Sequence, residues 1–190
     1  MLRKIAGLAI AASAWGLTAE AQDNVFWRSV GNWEISIDPG LSNGCYAVSS
    51  WSSGTVLRIG LNPAEDSFYF LIGNEDWASL EDDREYEIKI RFGPQPAWNI
   101  SARGLRLGDA PGGDVYLHAK SENFDFVEEF MREARMTMFY RQSAVETFVL
   151  KGSSRAFQEV RKCQRAVAEN GLPGDDDLAS RDRVVDPFAE

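Results

Sequence analysis

Cys45 and Cys163 are the chain's two cysteines, so only one intramolecular disulfide can form, and it would join points 118 residues apart. Whether that bridge forms depends on the compartment, and the N-terminus speaks to the compartment. Residues 1–21 read MLRK, IAGLAIAASAWGL and TAEA: a basic start, a short apolar run and a small-x-small triplet at Ala19-Glu20-Ala21. This is the pattern of a cleavable signal peptide, with cleavage expected after Ala21. The apolar run is interrupted by Ser13 and followed by Glu20, which argues against a spanning anchor of roughly 20 apolar residues. The expected product is a periplasmic or secreted protein with no stable membrane insertion after cleavage. In an oxidising compartment the cysteines pair, and a loop of that length gives a stabilisation of about 5 kcal/mol in the chain-entropy model.

Charge narrows the function classes. The full chain has 20 basic and 29 acidic residues, a net of −9. Removing residues 1–21 takes away Arg3, Lys4 and Glu20 and leaves the remainder still more acidic. Phosphate backbones are bound by clustered Lys and Arg, so no nucleic-acid partner is expected.

Hydrophobic periodicity assigns the fold class. From Glu85 to Phe92, EYEIKIRF places Tyr86, Ile88, Ile90 and Phe92 on one face and four charges on the other, a half-buried strand. Thr55 to Leu61 alternates in the same way, and the turn signal Ser52-Ser53-Gly54 joins it to CYAVSSW, predicting a hairpin from Cys45 to Leu61. Further strands are expected at Trp33–Ile37, Phe68–Ile72, Trp98–Ala102, Val115–Ala119, Thr137–Tyr140 and Val145–Leu150. Many short, punctuated strands mean a mainly β (α+β) domain, an antiparallel β-sandwich or barrel. Two stretches change period. Phe124, Val127, Phe130, Met131 and Ala134 follow helical spacing, predicting an inserted helix over 124–135 capped by Ser121 or Asn123. Ala156, Val160, Cys163 and Val167 form one stripe of a C-terminal helix, flanked by Phe157 and capped by Ser153 or Ser154. Cys163 on that stripe means that the bridge clamps this helix to the sheet. The domain therefore spans 22–170. Residues 171–190, GLPGDDDLASRDRVVDPFAE, have few apolar residues and no periodicity and are expected to form a disordered acidic tail; the adjacent aspartates lack the alternate spacing of a calcium loop.

Candidate chemistry is sparse. His118, the only histidine, shares a strand face with Tyr116, opposite Leu117 and Ala119, and reads as ordinary surface. One histidine and bridged cysteines give no metal site, and GDAPGG at 108–113 lacks a Walker lysine, so no cofactor is expected. The acidic stretch NEDWASLEDDREY, with Glu75, Asp76, Glu81, Asp82 and Asp83, reads as a charged loop with Trp77 and Leu80 tucked beneath it; no catalytic residue is assigned. Tryptophans that line clefts bind ligands through their faces, and Trp51, Trp77 and Trp98 are the candidates, with Trp51 favoured because it lies beside the serine-rich turn.

The early strand at Trp33, the motif NGCYAV, the pattern of Gly54, Leu57 and Ile59, and a closing strand running into LKGSSRAF at Leu150-Lys151-Gly152 form a recognisable layout. In this the chain resembles small alphaproteobacterial periplasmic proteins of the invasion-associated locus B family, without that family's further cysteines. The resemblance implies a periplasmic β-rich protein with no established catalytic site. The function expected is that of an exported non-enzymatic binding or interaction protein, its partner an unknown protein or envelope component. The alternatives are an envelope-glycan or small-ligand binder using exposed Trp, and a hydrolase using the acidic 75–83 loop or His118.

Overall fold

The computed structural model describes residues 24–107 and 115–173. The expected signal peptide, the GDAPGG stretch and the expected tail beyond Pro173 lie outside the described residues. Ten strands form one antiparallel sheet: β1 (Val25–Val30), β2 (Trp33–Asp38), β3 (Gly44–Ser50), β4 (Thr55–Asn62), β5 (Ser67–Asn74), β6 (Glu85–Phe92), β7 (Trp98–Arg106), β8 (Val115–Ser121), β9 (Arg135–Tyr140) and β10 (Ser143–Val149). Helix α1 (Asp125–Arg132) is inserted between β8 and β9, and α2 (Ser153–Asn170) follows β10.

Spatial order is β1-β2-β3-β4-β5-β8-β7-β6-β9-β10, so the sheet is open, with β1 and β10 at its edges. It nevertheless curls back on itself. The Thr55 hydroxyl on β4 donates to Glu146 Oε2 on β10 at 3.0 Å, and Trp33 Nε1 on β2 donates to the Lys151 carbonyl at 3.2 Å. Trp51 fills this seam edge-on, 6.0 Å from the Trp33 ring and 4.9 Å from Phe148. One continuous core results, built from the inward residues of strands across the whole sheet. The predicted alternation is realised in β6, where Tyr86, Ile88, Ile90 and Phe92 are buried and the residues between them are exposed. The hairpin expected over 45–61 is β3–β4.

The helices occupy the end of the curl where Phe68, Phe92 and Ser121 lie. α1 inserts Phe126, which stacks on Phe68 and Phe70 at 5.4 Å and meets Phe92 edge-on at 4.9 Å. It is shorter than the spacing suggested: Glu133 leaves the helix in an extended conformation, Ala134 is exposed, and Arg135 already pairs in β9. α2 lies against β2 and β3 through buried Ala156, Phe157, Val160, Cys163 and Val167. The Cys45–Cys163 disulfide is formed, with Cα atoms 6.1 Å apart. Gln164 on the same helix adds a second tie by accepting from the Cys45 N–H at 2.9 Å.

The expected caps are corrected. Gly152, at φ 87°, stands at the start of α2, and neither Ser153 nor Ser154 caps it. Ser153 is buried and donates to the Phe130 carbonyl at 2.9 Å, tying α2 to α1. No side chain caps α1 at Phe124; Asn123 instead accepts from the Asp125 N–H in a turn leading into the helix.

Candidate ligand-binding cleft

Among the described residues no helix covers the other end of the curl. Its rim is the 75–84 segment, which joins β5 to β6, and the turn between β9 and β10. Asn74 anchors the start of the segment by donating to the Ser53 carbonyl and to Thr55 Oγ1, both at 2.8 Å, while its own Oδ1 accepts from the Asp76 N–H. Successive turns follow, with Trp77 N–H on the Asn74 carbonyl and Leu80 N–H on the Trp77 carbonyl, each at 3.0 Å. The far side is laid directly on β7: Asp83 N–H donates to the Gly104 carbonyl at 2.9 Å and Gly104 N–H to the Arg84 carbonyl at 2.8 Å. A Cβ at position 104 would stand 2.1 Å from the Glu81 carbonyl oxygen, so only glycine permits this close approach.

Between this segment and the sheet lies a cleft of about 460 Å³. Its floor is formed by Leu117 and Met138, both buried members of the core, and its walls carry Trp77, Leu80, Tyr86 and Tyr140. Tyr86 is itself buried, its hydroxyl accepting from the Glu81 N–H at 2.8 Å, and its ring meets Tyr140 at 6.1 Å. Each tyrosine carries an arginine: Arg84 lies 5.4 Å over Tyr86 and Arg141 lies 5.2 Å over Tyr140. Arg84 is also paired with Glu81, whose hydrogen bond raises the guanidinium pKa above its ordinary value. An apolar floor, aromatic walls and a few polar groups at the rim are the usual make-up of a small-molecule site.

The three candidate tryptophans part company here. Trp77 lines the cleft. Trp51, favoured from the sequence, is a wedge between Trp33 and Phe148 and lies in neither groove described here. Trp98 borders a smaller groove of about 200 Å³ at the helical end, with Phe68, Phe70 and Phe126 beneath it. That groove exists because β7 and β8 pair only from Arg103↔His118 to Arg106↔Val115, so residues 98–102 have no partner on β8. Trp98 Nε1 donates to Glu129 on α1 at 2.9 Å and so fastens the helix to β7.

His118 lies on the outer face of the sheet, half-buried, with its ring 6.1 Å from Tyr69. Burial, reinforced by Lys120 and Arg58, holds its pKa below the ordinary value. Around it the outer face carries a second small core of Tyr46, Tyr69 and Leu71. Arg58 stacks 3.5 Å over Tyr46, donates to the Tyr69 hydroxyl at 2.8 Å and pairs with Asp38. Burial raises the pKa of both phenols, against the opposing charge of Arg58. The strand's alternation separates His118 from Leu117 of the cleft floor, so the histidine and the acidic segment stand on opposite faces of the sheet.

The cleft residues that sequence reasoning passed over are Tyr86, Tyr140, Arg84 and Arg141. Tyr86 was assigned to the core face, correctly, but its place at the open end depends on strand order. Among the described residues no cluster of three or more His, Cys, Asp or Glu could hold a metal ion, and no helix is long and apolar enough to cross a membrane. No family model, curated protein or solved structure matches the chain.

Proposed function

We propose that this is an exported, non-enzymatic binding protein that takes a small ligand into the open end of its curled sheet. The observation that carries the reading is the placement of Trp77, Tyr86 and Tyr140 around an opening onto the apolar core. Covering apolar and aromatic surface at such a mouth is favourable, and the polar rim orients what enters. The disulfide accords with an oxidising compartment, as does the resemblance in layout to the invasion-associated locus B family that the sequence suggests. The separation of His118 from the acidic segment favours binding over hydrolysis, because the two do not meet at one reacting atom.

A fluorescence screen of the disulfide-bonded protein against small metabolites and envelope oligosaccharides tests this reading. A ligand of the cleft changes tryptophan emission in the wild type, and Trp77→Ala abolishes the change. A ligand whose signal survives Trp77→Ala binds elsewhere, and that result contradicts the proposal.

A further inference from the structure

The ligand class can be read from the charges around the cleft, provided that the cleft is the binding site. Four side chains charged at neutral pH line it: Asp76, Glu81, Arg84 and Arg141. Glu81 and Arg84 are paired with each other. Arg141 makes no ion pair among the described residues; its guanidinium is held only by the face of Tyr140. Its backbone is also costly. It occupies the left-handed region at φ 57° in the β9–β10 turn, a position that glycine or asparagine fills with less strain. The fold gains nothing evident from an arginine there, whereas an anion in the cleft would. A guanidinium fixed on an aromatic face presents its remaining N–H fork to a carboxylate.

The rest of the rim argues for hydroxyls around that carboxylate. Asp76 has no cationic partner among the described residues, and Ser79 stands on the same segment. A hydroxyl-bearing ring can donate to Asp76 and lay its C–H face on Trp77, whereas a bare aromatic acid would leave these polar groups covered and unpaired. We infer that the cleft binds an acidic sugar, a hexuronate unit, with its ring against Trp77 and its carboxylate on Arg141. The cleft volume accommodates a short oligosaccharide.

Three probes test this by calorimetry and tryptophan fluorescence: a short oligogalacturonate, its methyl ester and phenylacetate. The oligogalacturonate should bind, and the methyl ester at least tenfold more weakly. Arg141→Gln should reduce acid binding by a similar factor while leaving ester binding unchanged. Arg141→Lys should restore part of the loss, since it keeps the charge and loses the fork. Circular dichroism melts verify that both variants fold. Equal binding of acid and ester overturns the carboxylate assignment while the cleft reading stands. Phenylacetate binding as tightly as the sugar acid overturns the sugar. No binding of any probe at millimolar concentration overturns this inference, and the broader screen with Trp77→Ala then decides the cleft by itself.

Discussion

The two ends of the curled sheet are built from similar residues and used differently. At one end Phe126, Phe130 and Phe157 are buried, α2 is locked by a disulfide, and Ser153 and Gln164 satisfy backbone groups across element boundaries. At the other end Trp77 and Tyr140 are only half-buried, and their arginine neighbours are exposed. Aromatic content alone therefore does not distinguish a core from a site. What distinguishes them is whether a helix or only a segment of turns covers the mouth.

Removing the disulfide should have the largest effect. Cys45→Ser with Cys163→Ser should lower unfolding stability by up to about 5 kcal/mol, the loop-entropy figure, measured by urea denaturation against the oxidised wild type. A loss near zero would mean that helix packing alone holds the closed end. Next is Val160→Asp, which places a charge where the side chain is wholly buried and should cost more than about 3 kcal/mol. Arg161→Ala is its control one residue away. It removes an exposed pair with Glu128 at 2.7 Å and should cost under about 1 kcal/mol. If Val160→Asp unfolds no more readily than Arg161→Ala, α2 is not part of the core.

Gly104→Ala probes the open end. The added methyl must push the 81–84 backbone off β7, so the variant should lose about 2 kcal/mol, with altered Trp77 emission and no change in the closed end's melting cooperativity. Unchanged emission would show that the segment does not rest on Gly104.

The smallest effect concerns His118. Its folded pKa is depressed, so the stability it contributes is present above the unfolded value of 6.5 and is lost as pH falls through that value towards the folded one. His118→Gln should therefore lose less stability than wild type on acidification from about pH 7 to about pH 5, by a fraction of about 1 kcal/mol because the ring is partly solvated. Identical acid sensitivity would show that the outer-face core does not desolvate the imidazole.

How much of this was legible in the sequence follows the range of the interactions involved. β6 and the β3–β4 hairpin are local, and alternation with a turn signal located them. The α2 stripe is local too, and Cys163 within it made the disulfide readable. β1 left no comparable trace: only Trp27 on it is buried, and a register shift between Phe26 and Arg28 breaks the period of two. Phe126 lies off the helical stripe drawn through Phe124 and Val127, although it is buried, stacks on Phe70 and meets Phe92 edge-on. The cleft depends on β5 lying beside β8 and β6 beside β9, pairings between distant segments that no local pattern announces. Gly104 offered a signal, since a glycine inside a strand often marks a close approach of another backbone.

Amide hydrogen exchange of the oxidised protein tests most directly whether the ends have separate roles. The account predicts that amides of β2, β3, α1 and α2 exchange only through global unfolding. Those of residues 75–84 and the β9–β10 turn should exchange through local opening, and should slow when a cleft ligand is added. Uniform protection of both ends, unchanged by ligand, would contradict it.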